Sequence, residues 1–116
     1  MNINISFIQL DPSEALKKHI ESKFSFLNRL ISHLDSDGSA VLFVEIQRVT
    51  RHHQKGEIYK IVVTLKLAKK VFRVSESHAN IRSAIDIIKA TLRQEVGEYK
   101  ERLVSSVKKT GSSRAS

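Results

Sequence analysis

The chain has 116 residues, of which 41% are hydrophobic and 28% are charged, with one proline and four glycines. This length and composition are typical of one globular domain and exclude a disordered or fibrous chain. Twenty Lys and Arg residues against twelve Asp and Glu give a net charge of +8, so we expect a polyanion as the partner.

The chain contains no cysteine, which excludes disulfides, thiolate metal sites and cysteine nucleophiles. Its first residues, MNINISFIQL, lack a basic segment followed by an apolar run, and no apolar stretch is long enough to span a membrane. We therefore expect a cytoplasmic protein without a signal peptide, a membrane span or a membrane partner.

The first predicted elements are a strand and a long helix. Residues 2 to 8, NINISFI, alternate apolar and polar side chains with the period of a half-buried strand. In the next segment, DPSE, Asp11 as the cap, Pro12 in the first turn and Glu14 form a capping-box-like pattern. Apolar residues in steps of three and four then predict one helix with a buried stripe from Leu16 to Leu34.

Three more strands are predicted after the turn cluster DSDGS at residues 35 to 39. Residues 40 to 49 and 57 to 67 each have one apolar face, which predicts a β-hairpin with the exposed tip RVTRHHQKG. A short strand is expected at about residues 70 to 75. Phe43 stands on the polar face of its strand, where a contact with another chain or with the C-terminal tail is a hypothesis.

A second long helix is predicted to begin near Ser77 or Asn80 and to end at Leu103. The remaining residues, VSSVKKTGSSRAS, bury too little surface to offset the entropy of ordering. We interpret residues 1–103 as the folded domain and residues 104–116 as a flexible, basic and Ser-rich tail.

The element order β-α-β-β-β-α predicts an α+β fold with two layers, a four-stranded sheet that two helices cover on one face. A right-handed crossover makes the first two strands parallel, and the later strands follow as antiparallel neighbours.

Basic residues of both predicted helices indicate a binding surface. Four cations of the second helix lie within about 40° on the helical wheel: Arg82, Lys89, Arg93 and Lys100. The first helix carries four on its exposed side and flanks: Lys17, Lys18, Lys23 and Arg29. Such runs are often only solvated helix faces. Because both helices are expected on the same side of the sheet, we predict that they form one phosphate-binding surface.

The hairpin tip adds a second cluster, formed by Arg51, His52, His53 and Lys55. A metal needs further ligands, and the tip offers no carboxylate or thiolate. Acid–base catalysis needs a partner that orients the imidazole and a pocket, and the sequence suggests neither. We therefore predict no metal, no cofactor, no small-molecule substrate and no enzymatic activity. Two interpretations stay open, namely histidines that contact RNA and an exposed polar tip without a role.

Four segments of the sequence carry a resemblance to a known family: MNINI at the start, ALKKHIESKFSFLNRLI in the first helix, VEIQRVTRHHQKGEIYKIVVTL through the hairpin and SAIDIIKATLRQEVGEYKER in the second helix. They resemble the ribosome hibernation-promoting factors, also known as ribosome-associated inhibitor A or ribosomal subunit interface proteins. The resemblance covers about residues 1 to 103 and corresponds to the short form of the family. The long form has a further C-terminal domain that pairs two ribosomes.

The resemblance implies a fold similar to double-stranded RNA-binding domains and a protein that binds 16S ribosomal RNA in the small ribosomal subunit. In this family the domain occupies the channel of the messenger RNA and of the A- and P-site transfer RNAs. Occupation stops translation and protects idle ribosomes under stress or in stationary phase. The implied RNA contacts are Lys17, Lys23, Lys89, Lys100 and Arg102 in the helices, with Arg51, His52, His53 and Lys55 in the loop. Gln94 and Glu98 stand where the family often has basic residues.

Two other functions stay open at this point. A general RNA-binding module of the double-stranded type would bind any A-form duplex with comparable affinity. A protein-interaction regulator would bind a protein partner with little dependence on salt. We expect the free protein to be a monomer.

Overall fold

The computed structural model describes residues 1–49 and 56–115, with side chains described through Val104. The strands in these ranges are β1 (Asn2–Ile8), β2 (Val41–Val49), β3 (Ile58–Lys66) and β4 (Val71–His78). The helices are α1 (Glu14–Phe24), α2 (Phe26–Leu30) and α3 (Ile81–Ala115). The predicted α+β fold class is confirmed. Within the same ranges, none of the helices is long and apolar enough to cross a membrane.

The strands form one sheet in the order β1-β2-β3-β4. β1 is parallel to β2, and the other two neighbouring pairs are antiparallel. The parallel pair requires a crossover between its strands, and α1 and α2 lie in that crossover. β4 is longer than the sequence predicted, since its polar end pairs with β3 as far as His78 opposite Tyr59.

The core lies between one face of the sheet and the helices. On β2 the side chains of Leu42, Val44 and Ile46 have no exposed surface, whereas Phe43 and Glu45 between them are exposed. The helices contribute a matching set of fully buried side chains: Ile20, Phe24, Leu27, Ile85, Ile88, Leu92 and Val96. Burial of each such side chain stabilises the fold by about 1.5–3 kcal/mol. The opposite face of the sheet has no helix over it in the described ranges.

The first helix begins two residues later than the capping-box pattern predicted. Ser13 is the N-cap residue, and its Oγ accepts a hydrogen bond from the backbone N–H of Leu16 at 3.2 Å. The prediction that Asp11 caps the helix is therefore wrong. Both residues are good cap formers, so sequence preference alone did not separate them.

The predicted single helix is interrupted at Ser25. The backbone N–H groups of Ser25 and Asn28 donate to carbonyls three residues earlier, and Ser25 Oγ also donates to the Ser22 carbonyl at 2.8 Å. Side-chain bonds of this kind compete with the regular helical pattern. The apolar stripe nevertheless continues across the interruption to Leu27 and Ile31, which stay buried. The apolar periodicity therefore gave no sign of the interruption at Ser25.

α3 extends farther than the predicted end at Leu103 and continues to Ala115. The backbone of residues 104–115 is thus helical where the sequence predicted a tail. The segment contains no proline, and its lysines and alanine favour helix. Among the described side chains of α3, Tyr99 is the last that packs against the core, while Leu103 and Val104 are exposed. The division into a domain of residues 1–103 and a flexible tail stays a prediction.

Candidate nucleic-acid interface

Helices α1 and α2 lie alongside α3 through a row of contacts between polar and aromatic side chains. His19 contacts Arg82, then Lys23 contacts Asp86. Farther along, Phe26 contacts Lys89 and Arg93. Along this row the residue numbers increase in the same direction on α1 and α2 as on α3, so the helices run parallel to each other. We name these seven residues the helix seam.

Arg82 donates a hydrogen bond from Nη1 to Nδ1 of His19, with 2.8 Å between the nitrogens. A guanidinium group has no acceptor, so His19 Nδ1 must accept and the neutral ring carries its proton on Nε2. That Nε2 is buried and has no hydrogen-bond partner in the described structure. Burial, followed by the charges of Arg82 and Lys23, lowers the pKa of His19, and Asp86 partly opposes this.

Lys23 and Asp86 form an ion pair, with Nζ 3.0 Å from Oδ1. The hydrogen bond from Lys23 is the main cause that lowers the pKa of Asp86. The side chains are 35% and 58% exposed, so water screens the pair and it adds little to stability. The pair affects the charge of the surface more than the stability, because Asp86 places a carboxylate beside the cations of the seam.

Phe26 holds two cations of α3 at its ring. Nζ of Lys89 lies 5.4 Å from the ring centroid, and Cζ of Arg93 lies 4.7 Å from it. Both distances fall within the range of cation–π attraction. Because the two cations are four residues apart on α3, they lie on one flank of the helix, and one partly buried ring orients both.

The remaining cations predicted on the first helix lie near the seam but outside its contacts. Lys17 is partly buried and lies 3.5 Å from Glu14, whereas Lys18 and Arg29 are exposed. On α3, Lys100 is partly exposed and follows Arg93 by seven residues, which returns it to the same flank. In the described part of the chain, no carboxylate forms an ion pair with Lys18, Arg29 or Lys100.

Arg102 lies on the other flank of α3. It lines a cleft of about 290 Å³ between α3 and β4, together with Lys70, Arg73, Glu95 and Glu98. The structure therefore does not bring Arg102 to the seam, and the RNA contact that the resemblance implies for it stays a prediction.

Charges on α3 are separated by side. Arg82, Lys89 and Arg93 face α1 and α2, and we name these three residues together with Lys100 the basic flank. Glu95, Glu98 and Arg102 face the cleft at β4 instead. Gln94 donates a hydrogen bond to Glu98 at 3.1 Å, so it is also directed away from the basic flank. The basic flank thus keeps its positive potential, and among the described ion pairs Asp86 is the carboxylate of α3 that contacts a cation beside it.

The hairpin residues predicted to bind RNA, Arg51, His52, His53 and Lys55, lie outside the described residues. At the base of the hairpin, Nε of Arg48 lies 3.6 Å from Oε1 of Glu57. Tyr59 donates its hydroxyl to Oε2 of the same carboxylate, and this bond raises the pKa of Tyr59. In the described ranges, no group of three or more His, Asp or Glu side chains could hold a metal ion.

Sequence reasoning missed three residues of the seam, namely His19, Phe26 and Asp86. Phe26 stands two residues after Phe24 and so falls off the apolar stripe, which was the one available signal. His19 and Asp86 acquire their roles from partners on the other helix. Spacing within one helix does not identify such partners.

Comparison with known proteins adds a family and a fold. The family model described as "Sigma 54 modulation protein / S30EA ribosomal protein" matches residues 3–104. The ribosome hibernation promoting factor of Azotobacter vinelandii is 27% identical over 104 residues, which cover 90% of this chain and 87% of that protein.

Two solved structures share the fold. The N-terminal domain of Thermus thermophilus Protein Y has a TM-score of 0.68 at 22% sequence identity, and the match covers 85% of this chain and 99% of the Protein Y chain. A ribosomal subunit interface protein from Coxiella burnetii has a TM-score of 0.64 at 14% sequence identity, and the match covers 87% of this chain and 99% of the Coxiella chain.

Proposed function

Because the chain belongs to the Sigma 54 modulation protein / S30EA ribosomal protein family, as its sequence segments predicted, we propose that it is a ribosome hibernation factor. It binds 16S ribosomal RNA in the small ribosomal subunit and occupies the channel of the messenger RNA and of the A- and P-site transfer RNAs. Occupation inhibits translation and protects the idle ribosome in the cytoplasm. The action is steric and electrostatic, without a catalytic step.

The observation that carries this proposal is the basic flank beside the helix seam. Phe26 orients Lys89 and Arg93, and the carboxylates Glu95 and Glu98 lie on the opposite side of α3. From Arg82 to Lys100 the flank follows about 27 Å of helix, a length that spans several phosphates of an RNA backbone. Lysine and arginine side chains neutralise such phosphates and release condensed counterions.

Two members of the predicted set contribute indirectly. Lys23 is paired with Asp86, and Arg82 is bonded to His19, so part of the hydrogen-bonding capacity of each is used within the protein. They connect the first helix to α3 and still add positive charge to the surface. We assign direct phosphate contacts to Lys18, Arg29, Lys89, Arg93 and Lys100, and a weaker one to Lys17, which also contacts Glu14 at 3.5 Å.

Co-sedimentation with purified small ribosomal subunits at rising salt tests the proposal. Binding should be strong at low salt and should weaken steeply as salt rises. Absence of co-sedimentation even at low salt would reject the proposal. A matched amount of A-form RNA duplex as competitor separates ribosomal specificity from general duplex binding.

The footprint is tested by charge reversal. The triple variant Lys89→Glu, Arg93→Glu and Lys100→Glu should lose most of the binding. The triple variant Lys108→Glu, Lys109→Glu and Arg114→Glu changes the net charge equally, serves as the matched control and should lose little. Equal losses would mean that the basic flank is not the footprint. Chemical probing of the ribosomal RNA then shows whether protected nucleotides line the decoding channel.

A further inference from the structure

The face of the sheet opposite the helices carries an exposed aromatic ring at its centre. Phe43 of β2 is 40% exposed and lies between Asn4 of β1 and Thr64 of β3 in the strand register. Its chain neighbours Leu42 and Val44 are fully buried in the core on the other side of the sheet. We name the side of the sheet around Phe43 the open face.

Positive charge predominates on the open face. Lys60 and Lys66 of β3 and Arg73 of β4 are exposed there, and Glu45 of β2 is the carboxylate between them on the described strands. Arg73 belongs to the edge strand and also lines the cleft that contains Glu95 and Glu98. None of these three cations forms an ion pair with a carboxylate of the described residues. Lys66 is a diagonal neighbour of Phe43, about 7–8 Å away at the backbone. Arg73 is directly opposite Thr64, two strands from the ring.

These groups match the chemistry of single-stranded RNA. An exposed aromatic ring offers a stacking surface for a base, and nearby lysine and arginine neutralise the phosphates on either side. The amide of Asn4 and the hydroxyl of Thr64 flank the ring and have donors and acceptors for base edges. Glu45 adds an acceptor for an exocyclic amino group. Four-stranded sheets with exposed aromatic residues bind single-stranded RNA in this way.

Two other occupants fit less well. An RNA duplex keeps its bases stacked inside, so it leaves nothing to stack on Phe43. A second copy of the chain that docked through the same patch would set the positive patch of one copy against the positive patch of the other, because a two-fold interface pairs a surface with itself. Lysine is also depleted at the centre of protein interfaces.

We propose that the open face is a second nucleic-acid site, which binds single-stranded RNA by stacking a base on Phe43 and neutralising phosphates with Lys66 and Arg73. The site is separate from the basic flank, since the sheet lies between the open face and the helices. It gives the protein a contact for unpaired nucleotides in addition to the proposed attachment of its helices to ribosomal RNA.

The test is fluorescence anisotropy of labelled oligouridylate and oligoadenylate with the full chain at low salt. Phe43→Leu keeps an apolar side chain of similar bulk but removes the ring, and should weaken binding by about fivefold or more. Ile87→Ala is the matched control, because Ile87 is equally exposed, at 42%, on α3. Lys66→Gln and Arg73→Gln should each weaken binding, whereas Lys69→Gln in the turn before β4 should not.

Backbone chemical shifts locate the site independently of the variants. Oligouridylate should shift the amides of Phe43, Thr64 and Arg73, and it should still do so in the triple variant of the basic flank that loses ribosome binding. Shifts confined to the helix seam, or unchanged affinity in Phe43→Leu, would overturn the proposal. Self-association that Phe43→Leu abolishes, without RNA-induced shifts on the open face, would overturn it in favour of a contact between copies.

Discussion

Arg82 on α3 donates a hydrogen bond to the Nδ1 atom of His19 on α1, across 2.8 Å and 63 residues of sequence. The bond requires an unprotonated Nδ1, and the cations Arg82 and Lys23 both disfavour a positive charge on the ring. The contact between α1 and α3 is therefore sensitive to protonation of one histidine.

Stability should fall on acidification through His19. Its pKa in the folded protein lies below the ordinary value of 6.5, so the unfolded chain takes up the proton first. Above about pH 7 the ring is neutral in both states and pH has no effect through it. Below about pH 6.5 the free energy of unfolding decreases until the pH reaches the folded-state pKa.

Urea unfolding of the wild type and of His19→Gln over this range checks the pH effect. Glutamine accepts the hydrogen bond of Arg82 through Oε1 but does not titrate. The free energy of unfolding of the variant should therefore rise relative to that of the wild type as pH falls. His33→Gln is the control for the substitution itself, because His33 is exposed and lies outside the helix seam. A difference between His19→Gln and the wild type that does not change with pH would contradict the assignment.

Removing the carboxylate of the seam should tighten RNA binding. Asp86 competes with phosphate for Lys23, which lies 3.0 Å away. Asp86→Asn should raise the affinity for the small ribosomal subunit roughly two- to threefold at low salt. Glu95→Gln removes the same charge on the opposite flank of α3, in the cleft at β4, and should have a smaller effect. Titration of each variant with small ribosomal subunits at constant salt measures the two affinities. Equal increases in affinity would mean that only the net charge of the protein determines the effect.

Phe26 and Arg93 should be energetically coupled. The guanidinium carbon lies 4.7 Å from the ring centroid, within the range of a cation–π interaction worth about 0.5–1 kcal/mol. A double-mutant cycle of Phe26→Leu and Arg93→Gln, measured by urea unfolding, should give a coupling energy of that size. The cycle of Phe26→Leu with Lys100→Gln is the control and should be additive, since Lys100 lies two turns farther along α3. Additivity in both cycles would show that the ring does not orient Arg93.

The start of α1 distinguishes two candidate caps. Ser13 Oγ accepts the hydrogen bond of the Leu16 N–H, so Ser13→Ala should lower the free energy of unfolding by about 1 kcal/mol. Asp11→Ala should change it little, because the exposed Asp11 precedes the cap and makes no capping bond. A larger loss of stability for Asp11→Ala than for Ser13→Ala would show that Asp11 is the cap.

Much of the fold was predictable because apolar periodicity is a local property. The alternation in β2 and β3 identified the buried side of each strand, and steps of three and four identified the buried stripe of each helix. The break at Ser25 was not predictable in this way, since hydrogen bonds of Ser22, Ser25 and Asn28 interrupt the helix without altering the stripe. The choice between Asp11 and Ser13 also depends on geometry rather than on residue type.

By itself, the sequence determined the fold class, the excess of positive charge and the line of cations on α3, because each follows from composition or from spacing within one element. Only the tertiary structure decided what surrounds those cations. It pairs Lys23 with Asp86, bonds Arg82 to His19 and sets Phe26 against Lys89 and Arg93. These contacts depend on how two helices far apart in the sequence pack on one sheet, and electrostatic and hydrogen-bond energies are set by those distances.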